Sequence, residues 1–387
     1  MKVAYVCTDP GVPVFGLKGG SIHAQSVVRA LQSRGAEVVL FARRLGGGHP
    51  IGLESIPVRQ LSKAPSGQDA SRERFLLEAN AELRGLLAAE RGLDLIYERH
   101  SLFSYAAMEH ARDAGIPGLL EVNAPLIEEQ QRFRSLTLVT EAEAADARCF
   151  GAAGAVLAVS RPLAERVARE TAARGRVHVV PNGVDVSRFG PRVEPTLPRA
   201  AGEVTIGFVG SLRPWHGVEQ LVEAFLRLRR TTDGVRLLIV GDGPMREQLE
   251  ASSAPAADSV VMTGAVAPAQ VPGLIASMDI AVAPYPRIEE FYFSPLKLFE
   301  YMAAGVAIAA SAAGQVGEVV EDDRTGLLYE PGDADGLVSV LRRLIADPAL
   351  RARLGSRARE TACLRHGWGF VAGKILELAG ELREAAV

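Results

Sequence analysis

Ser294-Pro295-Leu296-Lys297-Leu298-Phe299-Glu300-Tyr301-Met302-Ala303-Ala304-Gly305 sets the frame for the rest of this chain. Ser followed by Pro predicts a helix start, with Ser294 as the cap and Pro295 at the first helical position, where its preset φ suits the turn. Gly305 predicts the stop, in the left-handed conformation that glycine takes cheaply. Lys297 is out of place in such a helix. The first turn already carries the positive end of the dipole, so a cation there is disfavoured by about 0.3–1 kcal/mol. Either the ammonium is solvated and paired with Glu300 three residues on, or an anion sits against the helix start and Lys297 together.

Outward from this helix, short apolar runs alternate with helical patterns along the chain. In the first half the runs are Val3–Cys7, Glu37–Phe41, Leu93–Tyr97, Gly118–Val122, Ala155–Val159 and Val177–Val180, with helical candidates at Ser21–Ser33, Arg72–Glu90 and Leu102–Ala114. In the second half they are Val204–Val209, Arg236–Val240, Ser259–Thr263, Ile280–Ala283, Val306–Ala310 and Gly326–Tyr329. Continuous apolar strands between helices indicate parallel sheets covered on both faces. The sequence of strand, Gly-bearing loop and helix opens twice, at Val3–Ser33 and Val204–Arg230. The expected fold class is α/β, with two Rossmann-like doubly wound domains at residues 1–190 and 204–365. An aperiodic stretch rich in Pro and Arg links them at 191–203, and a last helix falls in 366–387.

Size and composition agree. At 387 residues the chain exceeds one ordinary core. With 48% hydrophobic and 23% charged residues it has a globular composition. A net charge of −3 gives no basic field for nucleic acid. Cys7, Cys149 and Cys363 are widely spaced, which argues against a disulfide framework or zinc cluster and fits a reducing cytoplasm. No run of about 18 apolar residues occurs, so membrane contact is expected to be peripheral at most.

In doubly wound sheets, ligands bind outside the carboxyl ends of the strands. That rule selects Asp9, Glu98-Arg99-His100, Glu121-Val122-Asn123 and Ser160 in the first half. In the second it selects Gly210-Ser211-Leu212-Arg213, Gly241-Asp242-Gly243-Pro244, Gly264-Ala265-Val266 and Tyr285. The two sets are expected to face each other across an inter-domain cleft. Gly210 to Gly217 follows a strand and opens a helix. Its glycine backbone, Arg213 and a neutral but hydrogen-bonding His216 suit an anion. Lys18-Gly19-Gly20-Ser21-Ile22-His23 is the counterpart, with Ser21 as a cap and His23 in the first turn. Glu121 and Asn123 suit sugar hydroxyls or an acceptor; alternatively, Glu121 pairs with Arg99 to hold the loops.

Together these residues resemble a GT-B glycosyltransferase of family 4, the large retaining group that uses nucleotide sugars. The resemblance runs over nearly the whole chain. It comprises Gly19-Gly20, Ala158-Val159-Ser160, Pro181-Asn182-Gly183-Val184-Asp185, Phe208-Val209-Gly210, Val240 to Pro244, Thr263-Gly264 and Pro295 to Gly305. It implies two Rossmann-like domains, with the nucleotide mainly on the second and the last helix crossing back to the first. Glu300 would match the second glutamate of an E-x7-E motif and accept hydrogen bonds from ribose hydroxyls. Gly264 and Val266 would lie against the base, and Gly19 and Gly20 near the donor phosphates. Gly210, Ser211, His216, Gly243, Ser294, Pro295 and Leu296 would complete the donor site. Arg213 and Lys297, with His23, would carry the catalysis.

The chain departs from the family pattern at three places. Tyr292 stands where the first glutamate of E-x7-E belongs, with Glu289 and Glu290 close by. Ser211 and His216 stand where the phosphate loop has Arg and Lys, and Asn123 where many members have His. Asp9, Arg99, Glu121, Asn123, Glu290 and Tyr292 are the expected contacts of acceptor or sugar. No cofactor is expected beyond the donor substrate, a UDP-sugar first and a GDP-sugar second. With no carboxylate cluster for a metal, cations and helix N-termini would stabilise the leaving diphosphate. The partners are the donor and a hydroxyl-bearing or other nucleophilic acceptor, in a monomer or homodimer. A nucleotide-sugar epimerase on the same fold is the alternative, with Asp9, His23 and Glu121 as acid and base. A non-catalytic sugar binder is a third reading, for which cations at the phosphate position are not needed.

Overall fold

The computed structural model describes residues 1–67, 69–198, 200–288 and 291–385. The first sheet contains β1 (Lys2–Cys7), β2 (Glu37–Ala42), β3 (Val58–Gln60), β4 (Leu95–Arg99), β5 (Gly118–Val122), β6 (Ala155–Ala158) and β7 (Val177–Val179), in the order β3-β2-β1-β4-β5-β6-β7. The second contains β8 (Val204–Val209), β9 (Val235–Val240), β10 (Val260–Met262), β11 (Ile280–Ala283), β12 (Ala307–Ser311) and β13 (Leu327–Tyr329), in the order β10-β9-β8-β11-β12-β13. The strand pairs are parallel in both. Each sheet grows first to one side of its opening strand and then to the other. That leaves a switch point between β1 and β4 and another between β8 and β11, where ligands bind in such folds. This is the doubly wound α/β architecture expected from the sequence.

Alternation along β1 explains why its apolar run is continuous. Val3, Tyr5 and Cys7 enter one buried layer, while Ala4 and Val6 enter the layer on the opposite face. The chain divides into two compact units. One is built from residues 1–182, Tyr292–Ser294 and the segment from Trp368 onward; the other is built from Gly183–Phe291 and Pro295–Gly367. The final helix, Trp368–Ala385, lies in the first unit. It packs against helix Gly19–Ser33 through Val371, Ala372, Ile375 and Ala379.

Three local expectations need correction. The helix near Lys297 spans Leu296–Ala304, with Pro295 in the capping position and no side-chain cap. Ser294 Oγ is buried without a hydrogen-bond partner among the described residues, so Ser294 does not cap the helix. The first glycine-rich helix begins at Gly19 itself, placing Ser21 inside the first turn, with Oγ buried and unpartnered, and His23 one turn deeper. The segment expected as one helix over Arg72–Glu90 is two, Ala70–Glu78 and Asn80–Ala89. Asn80 accounts for the break: its amide donates to the carbonyls of Leu77 and Phe103, and its Oδ1 accepts from the amides of Tyr105 and Ala106. It thereby caps the next helix, Ala106–Asp113, from outside.

Candidate active site

In the second unit the switch point is lined by Gly210, at the end of β8, and Tyr285, just past β11. Helix Leu296–Ala304 is pinned over this point because the Tyr301 hydroxyl accepts the Val209 amide at 2.7 Å. Gly210 has φ +149°, and a Cβ there would stand 2.9 Å from Lys297 Nζ. Glycine is therefore required both for the backbone conformation and for the approach of the lysine. Lys297 is 8% exposed. Its Nζ has no hydrogen-bond partner among the described residues and lies 4.1 Å from the Phe208 ring centroid and 5.2 Å from that of Tyr285. The solvated-lysine reading is thereby corrected. Burial pushes the Lys297 ammonium down to about 7, against the pull of Glu300. Burial likewise pushes Glu300 up to about 7, against Arg188 and Lys297. Two groups of opposite sign are thus held near neutrality.

His216 lies beside them. Burial, then the charges of Lys297 and Arg213, push it down to about 4. It is neutral at physiological pH, and its Nδ1–H is given to the Ser211 carbonyl at 2.6 Å. The donor expected of His216 is therefore already used, and Nε2 is left as an acceptor. Arg213 and Ser211 are exposed, and Arg213 lies 5.2 Å over Trp215. At the ends of β9 and β10, Gly241 and Gly264 form an isolated bridge, with the Gly241 amide donating to the Gly264 carbonyl at 3.1 Å. Gly243 serves packing, since a Cβ there would stand 2.5 Å from the Leu212 carbonyl oxygen. Val266 is half-buried just beyond β10. Leu296 is 36% exposed at the open helix start.

In the first unit, Glu121 is a buried hub. It accepts from His23 Nε2 at 2.8 Å, from Arg99 at 2.9 Å, and from the Tyr97 hydroxyl and the Asn123 amide. Burial pushes its carboxyl up, but His23, Arg99 and Tyr97 outweigh this and hold it well below the usual range. Of the two readings of Glu121, the geometry favours the one that ties the loops together. His23 is 6% exposed and packs edge-on against Trp368, with ring centroids 5.2 Å apart. Its Nε2 is occupied by Glu121, which corrects its expected position at the helix start. Arg99 also lies next to Gly20, where a Cβ would be 3.7 Å from Nη2. Asp9 closes its own turn by accepting the Gly11 amide at 2.6 Å. The acid and base that an epimerase would draw from His23 and Glu121 are bonded to each other.

Tyr292 donates to Glu129 at 2.7 Å. Glu289 and Glu290 lie outside the described residues. Sequence reading quoted Phe208 within the resemblance without giving it a role, and missed Arg188. Phe208 looks like any strand residue, and Arg188 falls in aperiodic sequence, where its guanidinium reaches the Pro268 carbonyl at 2.6 Å. Among the described residues, no group of three or more His, Cys, Asp or Glu is placed to hold a metal ion, and no helix is long and apolar enough to cross a membrane.

Comparison with known proteins gives this geometry its context. Residues 17–188 match the family model Glycosyltransferase Family 4, and residues 203–347 match the model Glycosyl transferases group 1. The fold is shared with sucrose-phosphate synthase from Thermosynechococcus elongatus, at a TM-score of 0.73 and 23% identity over 99% of each chain. It is shared also with Anabaena HepE in complex with UDP and glucose, at 0.69 and 20% identity over 98% of this chain and 100% of that one. The chain is a GT-B glycosyltransferase of the family 4 type. Among curated proteins, it is 27% identical to D-inositol 3-phosphate glycosyltransferase of Xylanimonas cellulosilytica over 95% of this chain and 92% of that protein. It is 31% identical to the GDP-mannose-dependent alpha-(1-6)-phosphatidylinositol monomannoside mannosyltransferase of Mycobacterium tuberculosis over 51% of this chain, spanning about half, 54%, of that relative's length.

Proposed function

We propose that this family 4 chain transfers a sugar from a nucleoside-diphosphate sugar to a nucleophilic acceptor, with retention of anomeric configuration and without a metal. The observation that carries the reading is the Lys297 ammonium. It is buried, unpartnered by hydrogen bonds and poised over Gly210 at an uncapped helix N-terminus. A desolvated cation beside free helix amides recovers its lost solvation when a pyrophosphate binds. As the bond between the sugar's anomeric carbon and the phosphate oxygen breaks, Lys297 and Arg213 oppose the charge growing on the leaving diphosphate. The acceptor oxygen bonds to the anomeric carbon on the same face, and its proton passes to the departing phosphate oxygen. Glu300 takes the ribose hydroxyls. UDP is the first expectation for the nucleotide and GDP the second; relatives of both kinds are known, one named GDP-mannose-dependent and one solved with UDP. The site is read as cytoplasmic, in a monomer or homodimer.

The test is kinetic. Thermal-shift screening of UDP, GDP and ADP selects the nucleotide. Lys297→Ala and Arg213→Ala then each lower turnover by roughly 10²–10³-fold in a folded protein. Glu300→Ala chiefly weakens binding of the free nucleoside diphosphate, read by calorimetry. Near-normal turnover in both cation variants overturns the proposal.

A further inference from the structure

The first unit contains a cavity of about 560 Å³, within the ~300–1,000 Å³ span of small-molecule sites. It runs between helices Val139–Ala152 and Arg161–Glu170 and reaches the strand ends at His100, after β4, and Val122, the last residue of β5. Helix Leu126–Phe133, in which no residue is fully buried, lines it as well. Val122, Phe150, Leu163 and Val167 give it apolar walls and are each at most 5% exposed. Among the described residues its acidic groups are Glu128, Glu143, Asp146 and Glu170, against the guanidinium of Arg166, and Asp146 is paired with His100. Arg166 is engaged by both Glu128 and Glu170. Glu143 is exposed and in no ion pair among the described residues.

His100 fixes one of these carboxylates in place. It is 94% buried by its 6% exposure, and its Nε2 is bonded to Asp146 at 3.0 Å. Its Nδ1 is buried with no partner among the described residues.

We propose that this cavity is the acceptor subsite for a ring-built molecule bearing protonated amines. Glu143 and Asp146 receive the amines, Asp146 being held in place by His100 Nε2, and the apolar walls take the ring faces. Its description as an acceptor subsite rests on the transferase reading above.

The full chain is titrated calorimetrically at low ionic strength with neamine, a two-ring fragment carrying several amines, and with trehalose, a two-ring sugar carrying none. Neamine binds at least about tenfold tighter than trehalose, as expected for a few partly shielded amine–carboxylate pairs. Glu143→Gln and Asp146→Asn each weaken neamine several-fold. UDP is titrated into the same samples, and its affinity stays the same in both variants. Equal binding of the two probes, or unchanged neamine affinity in both variants, overturns the cavity proposal while intact UDP binding leaves the donor reading standing. Selective neamine binding by a chain that binds no nucleoside diphosphate overturns the acceptor assignment.

Discussion

Lys297 and Glu300 sit three residues apart on one helix, and both are held near pH 7 by burial. The consequence for nucleotide binding has a sign that changes with pH. At pH 8 Glu300 is already largely ionised and Lys297 largely neutral, so a bound diphosphate draws a proton onto Lys297. At pH 6 Lys297 is already charged and Glu300 largely protonated, so ribose hydroxyls donating to Glu300 favour its carboxylate and a proton leaves. Calorimetry of UDP binding in buffers of different ionisation enthalpy therefore gives net uptake at pH 8 and net release at pH 6. The same sign at both values refutes the assignment of these two groups. Apo stability follows the same pair. Because the folded Lys297 has the lower pKa, its unfavourable contribution is full below about 7 and fades between about 7 and 10.5. Lys297→Met accordingly raises the melting temperature by a few degrees at pH 6 and by less at pH 9. Glu121 behaves oppositely to Glu300. Its folded carboxyl is depressed, so its stabilisation is present above the ordinary carboxylate range and is lost only as the medium becomes more acidic. Glu121→Gln leaves a buried imidazole and guanidinium short of their partner and costs about 3–5 kcal/mol, read by chemical denaturation.

At the scale of elements, much was legible because parallel strands covered on both faces are continuous apolar runs. β1, β8, β9 and β11 were readable within about a residue, and Gly305, with φ +74°, stops its helix as expected. What escaped depended on partners distant in sequence. The edge strand β3 has three residues and no apolar run. The start at Leu296 was misplaced because Ser294 and Pro295 suit a cap by type, yet the Ser294 hydroxyl finds no amide to accept. The break at Ala79 could not be seen in Arg72–Glu90 because Asn80 spends its amide and carbonyl on residues near Phe103. Asn80→Ala should therefore destabilise helix Ala106–Asp113 rather than its own, at about 1–3 kcal/mol. Hydrogen exchange should show faster amides at Tyr105 and Ala106; exchange enhanced only within Ala70–Ala89 would contradict this. The candidate site was legible in part for the same reason. Lys297 was conspicuous by its wrong place on the helix dipole, whereas Phe208 reads only as part of a strand and its motif, and Arg188 carries no mark in its own neighbourhood.

For the whole molecule, the first unit is assembled from widely separated stretches, whereas the second is two adjoining stretches, Gly183–Phe291 and Pro295–Gly367, interrupted by three residues. Helix Trp368–Ala385 contributes Val371, Ala372, Ile375 and Ala379 to the layer that also holds Val3, Tyr5 and Val27. Truncation after Gly367 uncovers that layer. It should lower the unfolding transition of the first unit and raise dye binding, while UDP affinity in the second unit changes little; an unchanged thermogram would argue against this packing. Ribosomes deliver chains from the amino end. The nascent β1 and its neighbours therefore emerge long before the last helix is synthesised, and one flank of their apolar layer stays open through nearly the whole of translation. The second unit also runs to Gly367, but it draws nothing from the amino end of the chain. Newly made chains should thus carry this uncovered layer until synthesis ends, and it is where holding chaperones would find their grip.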